Sequence, residues 1–168
     1  YLSGIDQEET ILLLFPDAVG AKDREILFVR ETSELIAIWE GAKFSQKEAS
    51  ELSGIPTVLW TTSYEATIKR LVPQCEHLYL NSNEHLRQSN EVETREERKN
   101  KELRAQFPLY SVKRSAPIMH RIRSRKTKEE VAQIQRAIAI TGKAFERVCG
   151  FVKPGVKEYE IEAEITHE

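Results

Sequence analysis

Apolar residues in this chain come in short runs, each shut off by a turn, and no purely apolar stretch exceeds the five residues of 11–15. A helix that crosses a bilayer needs roughly 20 such residues in a row. The pattern therefore demands short strands and short helices packed in layers. Ile11, Leu12, Leu13, Leu14 and Phe15, closed by Pro16 and Asp17, read as a buried strand ending in a turn. Residues 25–29 read the same way, and residues 18–22 around Gly20 suit a hairpin connection between the two. Thr32 and Ser33 offer caps for a short helix through Trp39, with Gly41 where a stop belongs. Ser45 and Glu48 form a capping box, in which hydroxyl and carboxylate satisfy each other's free backbone amides. That helix runs to about Ser53, with Gly54 as a left-handed stop. Residues 55–60 are β-type, Ser63 opens a helix that must end near Pro73, and residues 77–80 are strand-like again. Alternating strands and short helices predict an α/β layered domain.

Beyond Asn81 the character changes. Residues 91–106 are almost free of apolar side chains, and acids and bases alternate at three- and four-residue spacing, which supports an exposed helix. Residues 112–128 carry seven Lys or Arg and no acid, the pattern of a solvated linker. Thr127 and Glu130 make a second capping box. After it Val131, Ile134, Ile138, Phe145 and Val148 recur at helical spacing, one apolar stripe on a helix that Gly150 is expected to stop. Pro154 and Gly155 then turn the chain into a last helical stretch, 158–168.

The residues point to no chemistry of their own. A net charge of −2 exerts no general pull on nucleic acid or an anionic membrane, and no aromatic side chain interrupts the basic run. His77, His85, His120 and His167 stand apart, without the His-Glu-x-x-His spacing that places two imidazoles on one helix face. Cys75 and Cys149 match no metal spacing and are expected to stay reduced, as in a cytoplasmic protein. There is no nucleophile elbow and no glycine-rich phosphate loop. Trp39 and Trp60 are expected first of all to pack in the core, because each encloses a large apolar area. We assign no catalytic, cofactor-binding or metal-binding residue.

Two stretches resemble a known family. Tyr1-Leu2-Ser3-Gly4-Ile5-Asp6 followed by residues 11–15 resembles the "FxYLTGxxxP…LLL" segment of the aminopeptidase P N-terminal domain, whose first part is expected to be missing here. Leu27-Phe28-Val29 and Trp39-Glu40-Gly41 resemble its next landmark, a strand and a "W-x-G-x-R" element, with Lys43 standing in the arginine's place. A lysine cannot supply the planar two-pronged contact of a guanidinium. Residues 119–124, 129–131 and 137–145 are similar to the family's interdomain segment "hxhRxIKSxxEIxxhxxAxxITxxAF". Pro154-Gly155, Glu158-Tyr159 and residues 162–165 are similar to "PGxxEYxxEAEI", which opens its catalytic domain.

The resemblance implies a layered creatinase/aminopeptidase P N-terminal domain, a mixed sheet with flanking helices. A linker helix and the first helix of a pita-bread catalytic domain follow. Domains are expected at 1–115 and 116–168. Because Tyr1 opens the chain and Met119 is the only methionine, it is expected to start inside a longer gene product. Family members hydrolyse the bond before a proline in second position, with a dinuclear manganese site held by two Asp, one His and two Glu. None of those ligands has a counterpart here. The chain is thus expected to be an auxiliary portion that makes oligomer contacts and restricts access to the cleft. Trp39, Trp60 and the 91–106 helix are the candidate contributors. Self-association is expected, and peptide substrate only through the catalytic domain. A prolidase- or creatinase-type parent, or a non-catalytic assembly protein on the same fold, is the alternative.

Overall fold

A computed structural model describes residues 2–84 and 92–167, so expectations that fall on Tyr1, His85, Glu91 and Glu168 lie outside the described residues. The chain forms two compact units: Tyr1–Leu80 with Val92–Lys113, and Asn81–Glu91 with Arg114–Glu168.

In the first unit, β1 (Ile11–Leu14), β2 (Glu25–Val29) and β3 (Thr57–Trp60) make a mixed sheet with β2 in the middle. β1 lies antiparallel to β2, with Leu12 opposite Leu27. Their connection is longer than the expected hairpin: the Phe15 amide donates to the Arg24 carbonyl at 2.8 Å, and one 3-10 turn, Ala21–Asp23, sits between. β2 runs parallel to β3, with Phe28 opposite Leu59. A parallel pair needs a crossover, and α1 (Glu34–Glu40) and α2 (Gln46–Ser53) lie within it.

β2 explains why its sequence is continuously apolar rather than alternating. Its side chains point to opposite faces in turn, and both faces are covered. Ile26 and Phe28 pack with Tyr64, Ile68 and Leu71 of α3 (Tyr64–Leu71) and Leu103 of α4 (Arg95–Gln106). The Phe28 and Tyr64 rings meet edge to face, 5.4 Å between centroids. Leu27 and Val29 pack on the other side with Ala49 of α2 and with Ile55, and half-buried Phe44 and Trp60 close the rim. The result is helix, sheet, helix. β4 (His77–Leu80) and β5 (Ser111–Arg114) form a separate two-stranded sheet.

Local signals decided the helix ends. The Ser45–Glu48 box is formed, and Gly54 takes φ 73°, a left-handed stop. Gly41 ends α1 with φ 83°. Two expectations need correction. The charged helix begins at Arg95, because Thr94 and Glu97 close a capping box of their own. It is also not wholly exposed: Leu103 is 9% exposed and sits in the core.

The second unit contains α5 (Ala116–Ser124), α6 (Lys128–Phe151) and α7 (Glu158–His167). The basic run is therefore not a plain linker; it is built into β5 and α5, whose first turn accommodates Pro117, as a first helical turn can. Gly150 does not stop α6. It keeps a negative φ, and the helix continues to Phe151, two residues short of the position that Pro154 biases toward an extended backbone. Gly155, φ 97°, turns the chain into α7, and an Arg147–Glu164 ion pair ties α7 to α6. Cys75 is half-buried and Cys149 exposed, and both are free thiols.

Candidate interaction surface

α1 is seven residues long, and five consecutive ones, Leu35 to Trp39, are apolar. A helix that is apolar all round can cover only part of its circumference against one layer. Ile36 and Ala37 are the half-buried side; Leu35, Ile38 and Trp39, spaced three and four apart on one face, stand in solvent. Trp39 is 84% exposed, so the expectation that it packs in the core is overturned. Trp60 is half-buried and packs against the cluster of Leu27, Val29, Ala49 and Ile55. The two tryptophans thus separate in role. The signal that distinguishes them is in the sequence: Trp60 ends a short strand that one helical layer can cover, whereas Trp39 belongs to a helix with more apolar surface than one neighbour can hide.

At the C-terminal end of this helix four charges close on one another. The Lys43 ammonium reaches Glu8 Oε1 at 2.7 Å and Glu40 Oε2 at 3.1 Å, and its side chain is only 6% exposed. Arg30 bridges the same two carboxylates, Nη1 to Glu8 at 3.2 Å and Nη2 to Glu40 at 3.0 Å. Hydrogen bonds from Lys43 hold the Glu8 carboxyl below its ordinary range, and Glu8 and then Glu40 raise the Lys43 ammonium above its own. Lys43 therefore does not imitate a bidentate arginine; it acts as a point charge shared by two carboxylates.

The other candidate, α4, is largely committed to its own unit. Arg95 pairs with Glu9 at 3.3 Å, and Lys99 pairs with Glu102 at 2.8 Å and Glu65 at 3.5 Å. Lys101 pairs with Glu93. Such pairs leave mixed charge rather than a patch of one sign.

Among the described residues no group of three or more His, Cys, Asp or Glu could hold a metal ion. Those residues do not fit the donor set of a dinuclear centre. His77 is half-buried on β4, its Nδ1 without a hydrogen-bond partner, while His120 and His167 are exposed. In the second unit Arg114 grips Glu84 with two nitrogens and holds that carboxyl below its ordinary range.

Residues 1–79 match the family model of the aminopeptidase P N-terminal domain. It is this part of the chain, residues 1–79, that is of the aminopeptidase P N-terminal domain type. The whole chain is 27% identical, over 169 residues, to the Xaa-Pro aminopeptidase of Escherichia coli strain K12, and covers 38% of that protein. A solved structure assigned as an aminopeptidase P, from Bacillus anthracis, superposes with a TM-score of 0.82 at 30% identity, over 98% of this chain and 39% of that one. Zinc-substituted E. coli aminopeptidase P in complex with product gives 0.65 at 25% identity, over 85% and 33%. The chain thus spans under two fifths of the length of these relatives. With those neighbours the domain shares its mixed sheet and flanking helices, the α/β fold that the sequence predicts.

Proposed function

We propose that the chain is the non-catalytic N-terminal portion of an Xaa-Pro aminopeptidase, working in the cytoplasm, where it makes contacts between copies and limits access to the catalytic cleft. The parent enzyme would remove an N-terminal residue that precedes proline. Its two metal ions, manganese by family resemblance, would activate a water and polarise the scissile carbonyl. Residues of this chain take the auxiliary part only. A peptide reaches it through the catalytic domain, and neither nucleic acid nor membrane is a partner. No helix among the described residues is long and apolar enough to cross a membrane.

The observation that supports the contact role is the outward side of α1, where Leu35, Ile38 and Trp39 meet water together. Clustered exposed apolar side chains mark contact sites, and tryptophan is enriched among the residues that dominate interface energies. A second copy of the chain is the occupant proposed. Sedimentation velocity over a concentration series tests this. The unmodified chain should associate as concentration rises, and Ile38→Asp should shift that association at least about tenfold upward in concentration, since burying one charge costs more than a factor of ten. A chain that stays monomeric throughout, or an Ile38→Asp variant that associates equally well, would exclude α1 as the contact. A non-catalytic assembly protein, or a prolidase- or creatinase-type enzyme, shares this fold. The presence of Asp, Asp, His, Glu and Glu at family spacing in the parent separates a metallopeptidase from an assembly protein.

A further inference from the structure

Two turns of helix are a weak element: isolated helices shorter than about 12–15 residues are marginal in water. α1 adds little burial of its own, since none of its described side chains is fully buried. What fixes it lies at its C-terminal end. Arg30 follows β2, Glu40 is the last residue of α1, Lys43 lies just beyond Gly41, and Glu8 comes from the turn before β1. Each of the four charges touches two of opposite sign.

The Glu8 side of this ring is anchored independently of α1. Gln7 Oε1 accepts from the Phe44 amide at 2.9 Å, Thr10 Oγ1 donates to the Gln7 carbonyl at 2.8 Å, and Glu9 pairs with Arg95 of α4 at 3.3 Å. Three successive residues of one turn thus carry long-range ties. Glu9 accepts φ 64° to make them, a region that L residues seldom occupy.

We propose that the Glu8–Arg30–Glu40–Lys43 ring is an ionic latch that holds α1, with its apolar outward side, in place at neutral pH and releases it in acid. Glu8 faces Lys43 and Arg30; Glu40 faces the same two cations; the neighbouring Glu9 is drawn off by Arg95. Removing one member leaves two like charges sharing a single counterion. The sign follows from the depressed Glu8 and raised Lys43. The latch is complete above the ordinary carboxylate range and up past the ordinary lysine range. It opens as pH falls through the lowered Glu8 value, when a neutral carboxyl no longer balances the ammonium.

Hydrogen exchange of the full chain, read by mass spectrometry and corrected for intrinsic exchange rates, tests the latch. Dilute protein keeps the result independent of self-association. At neutral pH, Glu8→Gln and Lys43→Met should each speed exchange of the 36–41 amides at least about fivefold, with α2 amides unchanged, as local opening requires. Lys43→Arg, which keeps the charge, should stay within about twofold of the unmodified chain. Stepping the pH down from neutral to well below the ordinary carboxylate range should open 36–41 in the unmodified chain and less so in Glu8→Gln. Unchanged 36–41 protection in both charge-removing variants would overturn the proposal. So would Lys43→Arg opening as far as Lys43→Met, or 36–41 and α2 losing protection in step.

Discussion

The first unit encloses a core, although α1 shows an apolar side to water, whereas the second encloses almost none. In the first, β2 is covered on both faces, and Ile26, Leu27, Phe28 and Val29 are all but inaccessible. In the second, the stripe of α6 that the sequence marks as a packing face remains largely in solvent: Val131, Ile134, Ile138 and Phe145 are exposed, and Ala144 is the one buried hydrophobic residue of α6. Equal helical periodicity therefore does not mean equal stabilisation. A sheet brings side chains together from three segments far apart in sequence, whereas a pair of helices joined by a short turn can enclose only a narrow seam. Burying a large aliphatic or aromatic side chain contributes about 1.5–3 kcal/mol, and only the first unit collects many such terms.

Two phenylalanines test that contrast most severely. Phe28 is 0% exposed and Phe145 is 65% exposed. Phe28→Ala should destabilise the first unit by about 3–5 kcal/mol, whereas Phe145→Ala should change stability by no more than about 0.5 kcal/mol, both read from urea midpoints. Equal losses would mean that the α6 stripe is buried in solution, and the contrast would fail.

Acid should weaken the first unit. Asp23 is gripped by both terminal nitrogens of Arg70, each at 2.7 Å, and that grip holds its carboxyl below the ordinary range. Glu48 and Glu97 are lowered by their capping hydrogen bonds to Ser45 and Thr94. A depressed carboxyl adds stability above its unfolded value and loses it as pH falls through its folded value. The midpoint of urea unfolding should therefore drop steadily below about pH 4, and Asp23→Asn should flatten part of that slope. A midpoint independent of pH between about 5 and 2 would show that these pairs add nothing.

The smallest effects concern helix starts and one strained residue. Thr127→Ala removes the hydroxyl that accepts the Glu130 amide at 3.2 Å, and should weaken the first turn of α6 by about 1 kcal/mol, visible as faster exchange of residues 130–132. Ser45→Ala should cost α2 about the same. Equal fraying in both would indicate that caps matter alike in each unit; greater fraying in α6 would sharpen the contrast, because little packing backs that cap. Glu9→Gly relieves the positive φ while losing the Arg95 pair, so stability should move by less than about 1 kcal/mol in either direction.

Much of the chain can be read locally. Strand runs at 11–15 and 25–29, the Ser45 and Thr127 capping boxes, and the stops at Gly41 and Gly54 all rest on groups within a few residues of each other, and the structure holds them there. Some missed features are local, such as the Thr94–Glu97 box that starts α4; the others depend on partners distant in sequence. Leu103 is buried because its helix returns to the Phe28 face, and nothing in the surrounding acids and bases announces that. Trp39 is exposed because its neighbours cover only the Ile36 side of α1. The ring of Glu8, Arg30, Glu40 and Lys43 draws on residues up to 35 positions apart.

By itself, then, the order of residues determined most of the segments that become strand or helix, where most of those helices begin, and the family landmarks that residues 1–79 match. Those properties follow from backbone geometry and hydrogen bonds closed over three or four residues. Only the tertiary structure decided which apolar stripes are covered, which tryptophan faces water and which charges close on one another. Burial and charge pairing depend on distance in space, and in this chain that distance is set by the crossover from β2 to β3 and by the return of α4 to the sheet.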